Sequence, residues 1–344
     1  MKQERLGYLD SARGLAAIGV LLIHAINSFS ELDLDLLVAS NFTKEYLDLG
    51  KIFLIIFFLT SGFVIPYSIK GRGPNVLKSF AISRIFRLYP VYWLSAILGF
   101  MLYGSFTVKQ LLFNLTMFQQ FFGIENIIGL YWTLQLELIF YFLIALMFAI
   151  NKLYDKKFLF LTSVLFLLIA LVMAVVRNVM LIKLPLAIPL TLSIMYFSSY
   201  YRYLVIERDV LAKKYSNRYL IIYVVLIPII SYYGYNYDFG YGESWEKYTL
   251  TYFLGMALFL FVCGIKYSSK LMEYTGKISY SVYVFHPLVI LIIQETSFFN
   301  SFQGLIKVLF TLVLTILFSH FSYTLIEKPF INVGRNLRNR MVID

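Results

Sequence analysis

Apolar residues dominate this chain in long blocks, and short polar stretches separate them. A membrane-spanning helix needs roughly 20 mostly apolar residues, within a range of about 17–25. Ten blocks meet that length, at approximately 12–29, 50–68, 87–104, 131–150, 158–176, 185–203, 219–234, 249–265, 279–295 and 304–325. The pattern predicts an all-α, polytopic membrane protein of about ten transmembrane helices. No internal repeat or low-complexity run interrupts it. The simplest partition is one integral membrane domain over 1–333 and a short basic tail over 334–344.

Composition agrees with this. Of 344 residues, 60% are hydrophobic and 14% charged, against about 25% charged in a soluble domain. The formal charge of +11 would suggest nucleic acid in a soluble protein; here its placement along the chain decides its meaning. With the N-terminus in the cytoplasm, the inward loops and helix ends collect 23 of the 30 Lys and Arg, among them Lys2, Arg5, Arg13, Lys70, Arg72, Arg84, Arg87, Lys156, Arg202, Lys270 and Arg338. The other side receives Lys44, Lys51, Lys109, Arg177, Lys183, Lys247 and Lys307. The asymmetry follows the positive-inside rule and predicts both termini in the cytoplasm. The partner of the basic residues is then the lipid bilayer, with no call for nucleic acid. Aromatic residues around 235–248 suit an interfacial belt, or the stacking of sugar rings.

Ionisable residues inside a span are costly and default to function. Histidine occurs only at 24, 286 and 320, each within a predicted helix, and Glu137 is the only acid well inside a span. Arg13 and His24 are eleven residues apart, about three turns plus 20°, so they share one helix face some 16 Å apart along the axis. Counting from the opposite side, Glu137 comes to a similar depth as His24, within about 5 Å. A carboxylate beside an imidazole orients the ring and raises its basicity, as a general base requires. Arg84 and Arg87, three apart at the start of the third predicted helix, form a cytoplasmic basic mouth with Arg13, and guanidinium suits phosphate. His286, before Pro287, is placed in the inner half, along a channel from that mouth. His320 reads as structural. No spacing among the three histidines supports a metal site. Intramembrane His and Glu also serve as proton relays, so these residues also allow a proton-coupled transporter or flippase for a glycan or lipid-linked precursor.

Several segments, in order, resemble the integral membrane acyltransferase family 3. Leu9-Asp10-Ser11-Ala12-Arg13 with His24 looks like its opening Arg-x10-His motif. Phe57–Phe63 looks like its Phe-Phe-x-x-Ser-Gly-Phe segment and Arg84–Pro90 like its Arg-x-x-Arg loop. Tyr131-Trp132-Thr133-Leu134 with Glu137 looks like its Trp-Ser/Thr-Leu-x-x-Glu stretch, and Ser279–Pro287 and Glu327-Lys328-Pro329 match its late motifs. The resemblance spans essentially the whole chain. It implies an O-acyltransferase, most simply an O-acetyltransferase, of a bacterial inner or plasma membrane. Acetyl-CoA or another acyl-CoA is then a co-substrate, its phosphates held by Arg13, Arg84 and Arg87, with His286 beside the donor. His24, oriented by Glu137, serves as catalytic base or acyl carrier, and Tyr131 and Trp132 meet a carbohydrate acceptor. Leu138 stands where many relatives carry a polar residue, which puts the acceptor-side hydrogen bonding in question. Some relatives append an extracytoplasmic hydrolase-like domain; its absence here implies direct transfer, transfer through a partner protein, or a homo-oligomer.

Overall fold

The computed structural model describes residues 6–69, 71, 75–240 and 242–343; Lys2, Arg5, Lys70 and Arg72 lie outside them. In chain order the helices are α1 (Gly7–Phe29), α2 (Leu34–Glu45), α3 (Leu49–Val64), α4 (Asn75–Tyr103), α5 (Val108–Leu115), α6 (Tyr131–Ala149), α7 (Lys156–Met180), α8 (Ala187–Glu207), α9 (Val210–Tyr235), α10 (Trp245–Ile265), α11 (Lys270–Glu295), α12 (Gly304–Ser322) and α13 (Lys328–Ile343). A π-helical turn, Tyr323–Glu327, joins the last two. The fold is all-α among the described residues.

Among the described residues, nine segments are helices long and apolar enough to cross a membrane. The predicted span at 185–203 is also a helix, α8, but it is not among the nine. Every residue from Pro189 to Tyr200 is buried. A helix enclosed by protein needs no lipid-compatible surface, so α8 can carry Thr191, Ser193, Ser198 and Ser199 along its length. α7 shows the opposite. Leu161, Leu165, Leu168, Val172, Val175 and Val179 are exposed at alternating steps of four and three, while Leu159, Ser163, Leu167, Ala170, Ala174 and Arg177 are buried. An apolar stripe that long on a protein surface is what a bilayer covers. The chain is a multi-pass membrane protein.

The third predicted span starts earlier than its hydropathy suggests. α4 begins at Asn75, so Arg84 and Arg87 lie inside a helix and not at its start. Hydropathy registers only the apolar part, whereas residues 75–86 contain no Gly or Pro to break a helix. The loops expected at 30–49 and 104–130 hold α2 and α5, and α13 runs through the basic tail.

Two compact units organise the chain. The first comprises Met1–Ile23, Leu37–Tyr67 and Leu143–Lys277; the second comprises His24–Leu36, Ser68–Phe142 and Ile278–Asp344. In the first unit α7 packs on α8 and α9, and α3 packs on α8 and α10. The Ser61-Gly62 step brings α3 against α8. A Cβ at Gly62 would collide with the Met195 carbonyl and the Ser198 hydroxyl, and Ser199 Oγ donates to the Gly62 carbonyl at 3.0 Å. Small residues thus permit the close approach of the two helices. In the second unit α13 packs on α4, and a buried core gathers Tyr92, Tyr131, Phe140, Tyr280, Tyr283 and Phe285.

Candidate active site in the second unit

The polar side chains of the second unit form a ladder between α4, α6 and α11. Ser95 Oγ donates to the Val284 carbonyl at 2.9 Å. Its single proton is then committed, so its 2.9 Å contact with the Tyr131 hydroxyl is one in which Tyr131 donates. By the same count Thr133 Oγ1 donates to the Leu130 carbonyl at 2.8 Å and accepts from the Tyr283 hydroxyl at 2.8 Å. Tyr280 donates to the Leu88 carbonyl at 2.9 Å, and Tyr141 donates to Glu137 Oε1 at 2.6 Å. Every one of these side chains is buried. An apolar surrounding makes an unpaired polar atom expensive, so such bonds hold the three helices in register.

At one end of the ladder stand two histidines. His24 Nδ1 lies 3.0 Å from His286 Nε2, with ring centroids 5.1 Å apart. His286 is fully buried, its ring edge-on to Tyr283, and His24 is half-buried. His286 Nδ1 is 3.1 Å from the Val282 carbonyl. A carbonyl oxygen can only accept, so this nitrogen carries hydrogen. In a neutral ring Nε2 then holds the lone pair and accepts from His24 Nδ1–H, which leaves the lone pair of a neutral His24 on Nε2. Pro287 follows at once and lacks an N–H.

The other end is ionic. Arg84 Nη2 donates to Ser68 Oγ at 2.5 Å, and the guanidinium lies over the rings of Phe80 and Tyr141, 5.1 and 5.3 Å from their centroids. Arg84 Nε is buried without a hydrogen-bond partner. Glu137, bonded to Tyr141, and Arg87 both lie within electrostatic reach of Arg84. Glu137 is four residues from Thr133 toward this end, and His286 is three residues from Tyr283 toward the other. At 1.5 Å per residue the two levels are about 10 Å apart along the helix axes. The estimate from span boundaries put His24 and Glu137 within about 5 Å in depth; the helix rise counted from the Thr133–Tyr283 bond sets them farther apart.

The remaining candidates fall as follows. Tyr131 is enclosed, its ring tilted against that of Tyr92 with centroids 4.6 Å apart, and its hydroxyl is spent on Ser95. Trp132 is half-buried. Arg13 belongs to the first unit, over the Phe57 ring at 5.2 Å. Two late-motif residues meet in space: Ser281 donates to Glu327 Oε2 at 3.1 Å in the π-turn. Sequence reasoning missed the pairing of His24 with His286; the rarity of histidine was the available signal. No group of three or more potential metal ligands occurs among the described residues.

No curated protein and no solved structure gives a significant match to the chain. A protein-family model described as an acyltransferase domain does match, over residues 6–323. Of the two classes the intramembrane His and Glu allowed, this decides for the enzyme over the transporter. With nearly its whole length matched, and with its apolar helices, the chain belongs to the membrane acyltransferase family 3.

Proposed function

We propose that the enzyme moves an acyl group, in the simplest case acetyl, from a cytoplasmic acyl-CoA to a hydroxyl of a surface carbohydrate or lipid-linked glycan. Both termini lie in the cytoplasm on this reading, following the excess of Lys and Arg there. The observation that carries it is the His24–His286 pair, which supplies an oriented base at one end of a ladder whose other end is cationic.

His24 Nε2 takes the proton of the acceptor hydroxyl. The hydroxyl oxygen attacks the thioester carbonyl, the C–S bond breaks, and the departing thiolate recovers the proton from His24. The imidazolium formed in between keeps its Nδ1–H directed at the His286 lone pair, which stabilises it. The same geometry serves the covalent route, in which His24 Nε2 attacks the thioester, the C–S bond breaks with release of the CoA thiolate, and the acceptor hydroxyl then displaces the imidazole from the acyl group, its proton passing to the thiolate. Arg84 and Arg87 hold the phosphates of the donor. Glu137 acts at the donor level: with Tyr141 it offsets and positions the Arg84 charge. Tyr131 and Ser95 fix the start of α6, which leaves Trp132 as the acceptor-facing residue of that pair.

The test is acetyl incorporation from labelled acetyl-CoA in membranes of producing cells, where the natural acceptor is present. His24→Ala at matched protein level abolishes incorporation on this reading. Unchanged incorporation removes His24 from the mechanism. Label found on the protein itself, and lost in His24→Ala, selects the covalent route.

A further inference from the structure

The first unit contains a cavity of about 320 Å³ where α3 and α10 begin, α7 and α9 end, and the α7–α8 loop crosses. Its charged and aromatic lining is Lys51, Arg177, Lys183, Glu243 and Tyr235, with Pro185 among the apolar residues. The volume is in the range that holds a small organic ligand. Three cations face one carboxylate. Asp48 lies near Lys51 but is engaged at the helix terminus, accepting from Lys51 N at 2.8 Å. Counting it as well, one positive charge remains in excess.

Arg177 and Lys51 are held in place by their surroundings, whereas Lys183 is exposed on the α7–α8 loop. Arg177 is 5% exposed. Its Nη2 pairs with Glu243, its Nη1 donates to the Leu184 carbonyl at 3.4 Å, and its plane lies over Tyr235 and Phe239. Its Nε is buried and has no hydrogen-bond partner. Lys51 Nζ sits 3.7 Å from the centroid of Tyr248 and 5.6 Å from that of Tyr235, and no carboxylate among the described residues pairs with it within 4.0 Å. Aromatic faces attract a cation but leave its hydrogens without acceptors. A half-enclosed pocket with surplus positive charge and unused N–H donors is complementary to an anion.

We infer that this cavity is a binding site for a sugar-sized ligand bearing one carboxylate or phosphate group. Only the further identification of that ligand as an acidic sugar of the acyl acceptor rests on the carbohydrate-acceptor reading above. The site itself needs no catalytic assignment, and His24→Ala leaves it intact.

Binding is measured on the purified protein in lipid nanodiscs by titration calorimetry with glucuronate, glucose 1-phosphate, glucose and inorganic phosphate. Glucuronate or glucose 1-phosphate binds at least tenfold tighter than glucose; which of the two does so identifies the anion. Lys51→Met and Lys183→Gln each weaken that binding about tenfold, the loss of one charge-assisted contact, whereas Lys109→Gln on exposed α5 does not. Arg177→Met strands Glu243 and can fail to fold, so Arg177→Met with Glu243→Gln is the paired variant, and it too loses binding. The inference is overturned if none of the anions binds, if glucose binds as tightly, or if both lysine variants bind normally. Inorganic phosphate binding as tightly as glucose 1-phosphate overturns the sugar-sized part of it. Intact binding with lost transfer in His24→Ala separates this site from the catalytic one.

Discussion

Replacing His286 with phenylalanine tests how His24 is oriented and whether that orientation matters for transfer. The ring volume is nearly conserved, so packing at this fully buried position is little disturbed. The Val282 carbonyl keeps its backbone partner in α11. What is lost is the acceptor for His24 Nδ1–H at 3.0 Å. When His24 takes up a proton that bond becomes charge-assisted, worth about 1.5–3 kcal/mol. At 1.36 kcal/mol for each factor of ten, turnover falls by roughly ten- to a hundredfold. Donor affinity is unchanged, because the cationic level lies elsewhere on the ladder. His286→Gln places an amide oxygen where Nε2 stood and accepts the same bond, so it retains most of the activity. The assay is labelled acetyl incorporation at saturating acetyl-CoA, with thermal unfolding as the control for folding. A folded His286→Phe enzyme within twofold of normal turnover refutes the orientation argument. So does a His286→Gln enzyme as impaired as His286→Phe.

Arg84→Leu removes the guanidinium from the cationic end of the ladder and, on the proposed donor role, raises KM for acetyl-CoA about tenfold or more with a smaller change in kcat; an unaltered KM assigns Arg84 to structure alone. Tyr131→Phe loses only its bond to Ser95 and costs about 0.5–1.5 kcal/mol of stability with activity largely kept, as unfolding and incorporation assays on one preparation will show. Gly62→Ala drives a Cβ into the Met195 carbonyl and destabilises the α3–α8 packing by about 1–3 kcal/mol, read as a lower unfolding temperature. Asp209 caps α9 through Ala212 N at 2.7 Å and pairs with Lys156 at 2.6 Å. The Lys156 bond foremost, then the Ala212 N–H, holds its carboxyl below the ordinary value. Its contribution is therefore present above about pH 3.9 and is lost as the pH falls through the lower, folded value. Asp209→Ala costs about 1 kcal/mol at neutral pH and flattens that acid-side loss in a pH series of unfolding temperatures.

The sequence by itself determined what depends on neighbours along the chain. Blocks of apolar residues longer than a bilayer demand helices, because unpaired backbone groups cannot be left in hydrocarbon. The order of motifs from Arg13 to Pro329 pointed to the family. Periodicity placed Arg13 and His24 on one face because both lie on one helix, α1. Tertiary structure decided the matters that depend on how separate helices meet. Hydropathy placed the third span's start at 87, but α4 begins at Asn75, since an amphipathic turn is helical without being apolar. α8 showed that a long helix can carry a row of hydroxyl side chains when protein encloses it. Depth counted from span ends put His24 within about 5 Å of the level of Glu137. An error of a few residues at each boundary shifts a level by several ångströms, and the bonds from Thr133 to Tyr283 and from Tyr141 to Glu137 set the levels differently. The partner of His24 is 262 residues away in the chain. No local pattern encodes such a pairing, because it exists only once α1 and α11 have packed.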